Sequence, residues 1–295
     1  MNKAPAIGTL IKGSEDPVQR IRELSTLGFE DFSITFWETL GAVDLSSLAD
    51  GVRAALADTG TLLSSLSVYG NPLRDDETGA ETRRSLELLI DHAPSFGSPL
   101  ISTFAGRTLG ASVKDSIEPW KRIFTPLLER AEGRGLSLAF ENCRLGDTWK
   151  TGKWNIAINV DAWELMDAAM PSRIWGLEWE PCHQVEALAD PLVQLDAWVD
   201  RIYHIHGKDA RIDRTLLALR GVYGPQHWYA SCFPGNGDTD WVRIFSILKK
   251  RAYGGTVDVE GWNDAQWSGE RELEGQKRAL DYLKKCRLET LGPRQ

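Results

Sequence analysis

The residues best suited to chemistry are concentrated in 174–209. This stretch reads IWGLEWEPCH, then a helix-like interval, then RIYHIHGKD, and it holds His183, His204 and His206, three of the chain's five histidines. Glu178, Glu180, Lys208 and Asp209 accompany them. Both halves are short β-like runs that end on ionisable residues instead of a neutral turn. Residues two apart on a strand face the same side. Glu178 therefore shares a face with Glu180, and His204 with His206, while Leu177, Trp179, Tyr203 and Ile205 point to the other side, where an apolar cover suits them. Carboxylates and imidazoles aimed at a common interior suggest a metal site.

The pattern recurs twice. Residues 136–141 (LSLAFE) end on Glu141, and residues 256–260 (TVDVE) place Asp258 and Glu260 on one face. For any one strand, a terminal charge meeting solvent is a sufficient account. Four strands in order, ending on Glu141, Glu180, His206 and Glu260, are better explained by a site. Glu178, His204 and Asp258, each two positions earlier, would orient those residues from below.

The elements that position this set alternate between strand-like and helix-like, which favours a parallel sheet covered by helices. Strands are expected at 4–10, 29–36, 62–69, 100–104 and 136–141, then before Glu180, around His204 and His206, and at 256–260. Helices are expected at 16–27, 44–59, 81–96 (with a break at Pro94), 115–132, 161–170, 191–200, 240–250 and 270–285. Pro119 is placed in the first turn of its helix. Residues 142–155, rich in Gly, Asp and Trp, form a long loop, and 211–234 form an insertion without clear period, read as an active-site cover. Eight strand–helix repeats with no linker close most simply into a single (β/α)8 barrel spanning 1–295, an α/β fold whose active site lies at the C-terminal strand ends. An open doubly wound sheet is disfavoured because no G-x-G-x-x-G follows the first strand.

Composition bounds the function. A chain of 295 residues, 42% hydrophobic and 26% charged, is ordinary for a soluble globular protein. The net charge of −8 excludes a broad nucleic-acid footprint. Cys143, Cys182, Cys232 and Cys286 form no C-x-x-C pair and read as free thiols of a reducing compartment. Cys182, between two site residues, reads as a packed thiol in preference to a reactive one. There is no signal-like apolar run at the N-terminus and no membrane-length segment, so a cytoplasmic location without membrane partner is expected; a homo-oligomer is compatible with the sequence. Twelve tryptophans are many. Trp37, Trp179, Trp262 and Trp267 fall near strand ends, where an indole face could meet a sugar.

Several motifs carry a resemblance: FEN at 140–142, GLEWEPCH at 176–183, HIHGKDA at 204–210, FPGNGDTDW at 233–241 and YGGTVDVEGWND at 253–264. With these the chain resembles the xylose isomerase-like barrels of sugar phosphate isomerases and epimerases, which include ketose 3-epimerases and inosose-processing enzymes. The resemblance implies a divalent metal on Glu141, Glu180, His206 and Glu260, with His183 binding substrate beside it. Glu180 stands where the family usually has Asp. In the ketose 3-epimerases an Arg follows the ligand histidine by six residues; here that position is Ile212, with Arg211 and Arg214 nearby. A set of three carboxylates and one imidazole suits Mn2+, and also Mg2+ or Co2+.

The expected activity is a metal-dependent isomerase or epimerase working through an enediolate on a keto-sugar or cyclitol, with Glu141, Glu260 and His183 as proton carriers. Lys208, Arg211, Trp37 and His183 are the expected substrate contacts. A lyase that eliminates a beta substituent from a keto-sugar shares the first step: an inosose dehydratase, a 3-keto-glycoside lyase or a C-glycoside deglycosidase. A nuclease of the same barrel would need a three-zinc cluster and more histidines, and a non-catalytic sugar-binding barrel would need no metal.

Overall fold

A computed structural model describes residues 4–290; residues 1–3 and 291–295, the ends of the expected single domain, lie outside the described residues. The described residues form ten strands: β1 (Ala6–Lys12), β2 (Asp31–Trp37), β3 (Leu62–Tyr69), β4 (Leu100–Thr103), β5 (Ser137–Glu141), β6 (Trp175–Trp179), β7 (Ile202–Gly207), β8 (Asp209–Ile212), β9 (Tyr229–Cys232) and β10 (Thr256–Val259). Eight of them close into a barrel in the order β1-β10-β7-β6-β5-β4-β3-β2, flanked by helices, while β8 and β9 form a separate antiparallel pair. The fold is a (β/α)8 barrel.

The chain packs as two compact units. The larger holds residues 10–179 and 201–204. Within it β2 to β6 pair in parallel, each with the next, ending with Glu141 opposite Glu178. Small polar side chains alternate with apolar ones along β2 to β4: Ser33, Thr35, Ser65, Ser67 and Ser102 are buried between Ile34, Leu66, Val68 and Ile101. Thr35 and Ser67 bond to each other across strands at 2.8 Å. The apolar side is dense. Phe140 lies 4.8 Å from Phe124 and 5.7 Å from Trp175, ring centre to centre, with Trp120 at 5.6 Å. Helix Val113–Glu132 starts earlier than expected, because Ser112 caps it by accepting from the Asp115 amide. Pro119 therefore lies beyond the first turn, and Pro126 is also inside the helix. Helix Glu77–Phe96 likewise runs through Pro94 without a break, to a left-handed cap at Gly97.

The smaller unit holds residues 4–9, 180–200 and 205–290 of those described. Here β10 pairs with β1 on one side and β7 on the other, with Asp258 opposite His206. Helices Trp241–Lys250 and Glu272–Glu289 bury Trp241, Phe245, Leu280 and Leu283. The insertion at 211–234 is more ordered than its sequence suggests. Its arms are β8 and β9, paired from Asp209–Cys232 to Ile212–Tyr229, and helix Arg214–Arg220 lies between them. That helix buries no residue, so its apolar leucines show no regular face toward a core.

Candidate metal centre

Three expected ligands meet in the smaller unit. Glu180 follows β6, His206 lies on β7 and Glu260 follows β10; all three are buried, and each offers a ligand atom within 4.8 Å of the others. Local sequence explains each position. Pro181 stops the strand and opens helix Pro181–Glu186, leaving Glu180 in extended geometry at its start. The Glu260 amide still donates to Gly207 O at 3.0 Å, so β10's register with β7 carries one residue further. Next to it, Gly261 packs directly on the Phe233 ring: a Cβ there would come within 1.8 Å of that ring. A side chain at 261 would require the Phe233 ring or the local backbone to shift.

The two carboxylates are oriented alike. Lys208 Nζ lies 2.7 Å from Glu260 Oε1 and 3.6 Å from Glu180 Oε1. The other oxygens turn to His206, whose Nδ1 is 3.2 Å from Glu260 Oε2 and 3.8 Å from Glu180 Oε2. Glu260 Oε2 is buried and makes no hydrogen bond among the described residues. An oxygen and a nitrogen in that relation, among hard donors, fit a divalent cation. The lysine thus faces Oε1 of both carboxylates, and the Oε2 atoms are the ones that could hold an ion.

Glu180 has the densest surroundings. Burial pushes its carboxyl up, but the charges of His183 and Lys208, with hydrogen bonds from His183 and His206, outweigh it and hold the group well below the usual carboxylate range. His183 lies one helical turn beyond, with Nε2 at 3.4 Å from Glu180 Oε1 and Nδ1 at 3.2 Å from Glu186 Oε2. Cys182 also donates its thiol to Glu180 Oε1 at 2.7 Å. Burial, then the charge of Glu180, pushes that thiol up to about 12, so it stays protonated and unreactive.

In the larger unit Glu141 is buried at the end of β5, next to Glu178 on β6. Glu178 is fully buried and saturated: Tyr69 donates its hydroxyl to one oxygen, and His204 Nδ1 lies 2.6 Å from the other. Phe104 lies 5.0 Å from the Tyr69 ring and carries Trp37 edge-on at 6.2 Å, and Trp37 in turn leans on Trp154.

Residues 21–286 match the family described as xylose isomerase-like TIM barrel. The chain belongs to that family. Among curated proteins of this family's kind, it is 32% identical over 108 residues to an inosose dehydratase of Clostridium tetani, covering 34% of this chain and 35% of that protein. Among solved structures it resembles a 3-keto-D-glucoside 4-epimerase from E. coli, with TM-score 0.71 and 17% identity over 96% of this chain and 100% of that one. It resembles an L-ribulose 3-epimerase equally, with TM-score 0.71 and 17% identity over 99% of both chains. At these identities the structures bear on the fold alone.

Other expected residues are placed differently. Arg211 is exposed on β8 and lines a surface cleft of about 390 Å3 with Asp213, His227, Trp228 and Tyr229, a group without Lys208 or the carboxylates. Asp209 is buried in a structural role, accepting from the amides of Ala210, Gly235 and Thr239. Trp37 is 55% exposed, whereas Trp179 and Trp267 are buried core residues. The sequence reading missed Tyr69, while Cys182 is the packed thiol it expected. Tyr69 ends β3 as Glu141 ends β5, and that shared position was the available signal. No helix among the described residues is long and apolar enough to cross a membrane.

Proposed function

We propose that the chain is a divalent-metal-dependent isomerase or epimerase of a keto-sugar or cyclitol, working through an enediolate. The observation that carries this reading is the buried set of Glu180, His206 and Glu260, the Oε1 atoms of its carboxylates facing Lys208 and their Oε2 atoms turned to the imidazole. Glu141, buried at the end of its own strand, is assigned as the fourth ligand. A divalent ion held there, Mn2+ first and Mg2+ or Co2+ otherwise, would supply Lewis acidity toward a carbonyl and its neighbouring hydroxyl.

The chain's own residues move the protons. Glu260 takes the proton from the carbon beside the carbonyl, and the C–H electron pair moves into the carbonyl to give the enediolate. Glu141, on a different strand, returns a proton to the opposite face, and the configuration at that carbon inverts. His183 and Lys208 bind substrate hydroxyls beside the reacting carbon, Trp37 carries an apolar sugar face, and Arg211 is assigned to the outer part of the substrate. A cytoplasmic location belongs to the same reading, supported by four buried cysteines, none read as half of a disulfide.

Elimination is the second reading, and two observations favour it: similarity to a dehydratase, and an acid-bearing group 2.7 Å from the assigned base. After the same proton abstraction, the beta C–O bond would break, with Lys208 or His183 giving its proton to the departing oxygen.

The deciding experiment incubates the metal-loaded protein in D2O with a panel of free ketoses and a panel of 3-keto-glycosides. Deuterium should enter beside the carbonyl, and chelation should abolish its entry and lower the melting temperature until metal is restored. Retained substrate skeleton marks epimerisation and loss of a substituent marks elimination. Absence of metal-dependent exchange with every compound would refute both.

A further inference from the structure

Apolar side chains stand in water at the end of β2 and on the loops beyond β4 and β5: Trp37 is 55% exposed, Leu109 53%, Leu145 41% and Trp149 38%. Single exposed apolar residues are common and need no explanation. The arrangement that holds these ones is unusual. Immediately after Trp37, Glu38 has φ of +59°, a left-handed conformation that a glutamate adopts only under constraint. Its amide donates to Tyr69 O at 2.9 Å, its carbonyl accepts from Thr82 Oγ1 at 3.0 Å, and a side chain at Gly70 would come within 2.8 Å of that carbonyl. The turn is locked.

The loop that carries Trp154 is locked as well. The buried Asp147 carboxylate accepts the amides of Lys153, Trp154 and Asn155, each at 2.8 Å. Asn155 Nδ2 donates to Glu141 O at 2.7 Å and Cys143 O at 2.8 Å, tying the loop to the end of β5. Asn71 Nδ2 donates to Lys153 O at 2.8 Å. Arg107, fully buried, donates its guanidinium to the carbonyls of Ala111, Thr148, Trp149 and Asn155. Two buried ionic side chains and a strained turn thus fix one feature: Trp37 and Trp154, ring centres 5.7 Å apart and tilted by 49°, with Phe104 supporting Trp37 from below. Core packing does not require this, because Trp37 keeps more than half its surface in water. Buried charge and strain kept to present an aromatic surface to solvent indicate a ligand.

We infer that Trp37 and Trp154 form a subsite for a ring carried on the substrate's glycosidic oxygen, so that the preferred substrate is a keto-glycoside and not a free ketose. The inference rests on the carbohydrate reading above and deepens it. Either an aryl ring or the C–H face of a second pyranose offers the flat apolar surface that an indole takes. Lys153, with Nζ 5.3 Å from the Trp154 ring centre, adds a donor at the rim for a hydroxyl.

The test is calorimetric titration of the full-length, metal-loaded protein with methyl, phenyl and glucosyl glucosides, which lack the ketone and do not turn over. The phenyl or glucosyl compound should bind about three- to tenfold more tightly than the methyl one, the range that aromatic contacts supply. Whichever of the two is favoured identifies the guest ring as aryl or sugar. Trp37→Ala and Trp154→Ala should each bring the ratio close to one. If either fails to fold, Trp37→Leu or Trp154→Leu reads the same ratio. Equal affinity for all three glucosides, no binding by any, or a preference that survives both tryptophan substitutions would overturn the inference. The measurement needs no turnover, so a failed deuterium exchange would remove the reaction while leaving the ring preference readable.

Discussion

Glu178 and Glu180 stand two residues apart at the end of the same strand, on the same face, and both are fully buried. Their surroundings differ in kind. Glu178 is satisfied by directed hydrogen bonds, from the Tyr69 hydroxyl on one oxygen and from His204 Nδ1 on the other. Glu180 takes one directed hydrogen bond, from the Cys182 thiol on Oε1 at 2.7 Å, and its other neighbours stand further off: His183 at 3.4 Å, Lys208 at 3.6 Å and His206 at 3.8 Å. A carboxylate whose oxygens are committed to aligned donors is a fixed part of the frame. One kept ionised by cations at longer distance can exchange part of that stabilisation for a metal ion. Strand alternation places both carboxylates; the neighbours contributed by other strands decide which is frame and which is ligand.

The comparison is broken most directly by removing one charge at a time. On the proposed reading Glu180→Gln should lower turnover at least ~1000-fold, because it would remove a ligand charge from a site whose ion would supply several kcal/mol of transition-state stabilisation. Glu178→Gln should cost about 10- to 100-fold, the usual effect of a residue that orients a ligand from behind. Both are read as kcat on the best substrate from the exchange panel, with metal content measured in each variant. Equal losses with equal loss of metal would mean that the two carboxylates do one job.

Stability should rank them in the opposite sense. Glu178→Gln breaks a buried contact with His204 and should cost about 3 kcal/mol in urea unfolding, with or without metal. Tyr69→Phe removes one neutral donor and should cost about 1 kcal/mol. A Glu178→Gln loss below ~1 kcal/mol would show that the pair is not what fixes the ends of β6 and β7.

These distinctions were only partly legible in the sequence. The barrel was, because eight alternations of strand and helix leave few other closures, and residues Glu180, His206 and Glu260 followed from the period of two. What was not legible came from contacts between residues far apart in the chain. Tyr69 is 109 positions from Glu178, and its place at the end of a strand marks it as site-facing without saying which partner it meets. The hairpin of β8 and β9 was hidden because its pairing is short and its helix buries nothing, which erases the periodicity that burial imposes. Pro119 was misplaced because a serine cap set the helix start, and a local hydrogen bond outweighed the preference of proline for the first turn.

Cys182 gives the smallest effect and the sharpest reading of the charge around Glu180. Its thiol donates to Glu180 Oε1 at 2.7 Å. Burial, then the negative charge of Glu180, pushes it up to about 12, while His183 and Lys208 pull the other way without offsetting this. A thiol ionises near ~8.5 once the chain is unfolded. With the folded value raised, the stability tied to this proton is fully present below ~8.5 and is lost as pH rises toward the folded value. Cys182→Ser keeps a donor that does not titrate in this range, so its unfolding free energy should fall less steeply with alkaline pH than that of the wild type. Cys232, also pushed up to about 12, is common to both proteins and cancels in the difference. At pH 8 the folded protein should resist iodoacetamide at Cys182 and react there only after denaturation. Rapid alkylation of the folded protein at that pH would place a thiolate beside Glu180, and the cations around this carboxylate would then have to be compensating two negative charges instead of one.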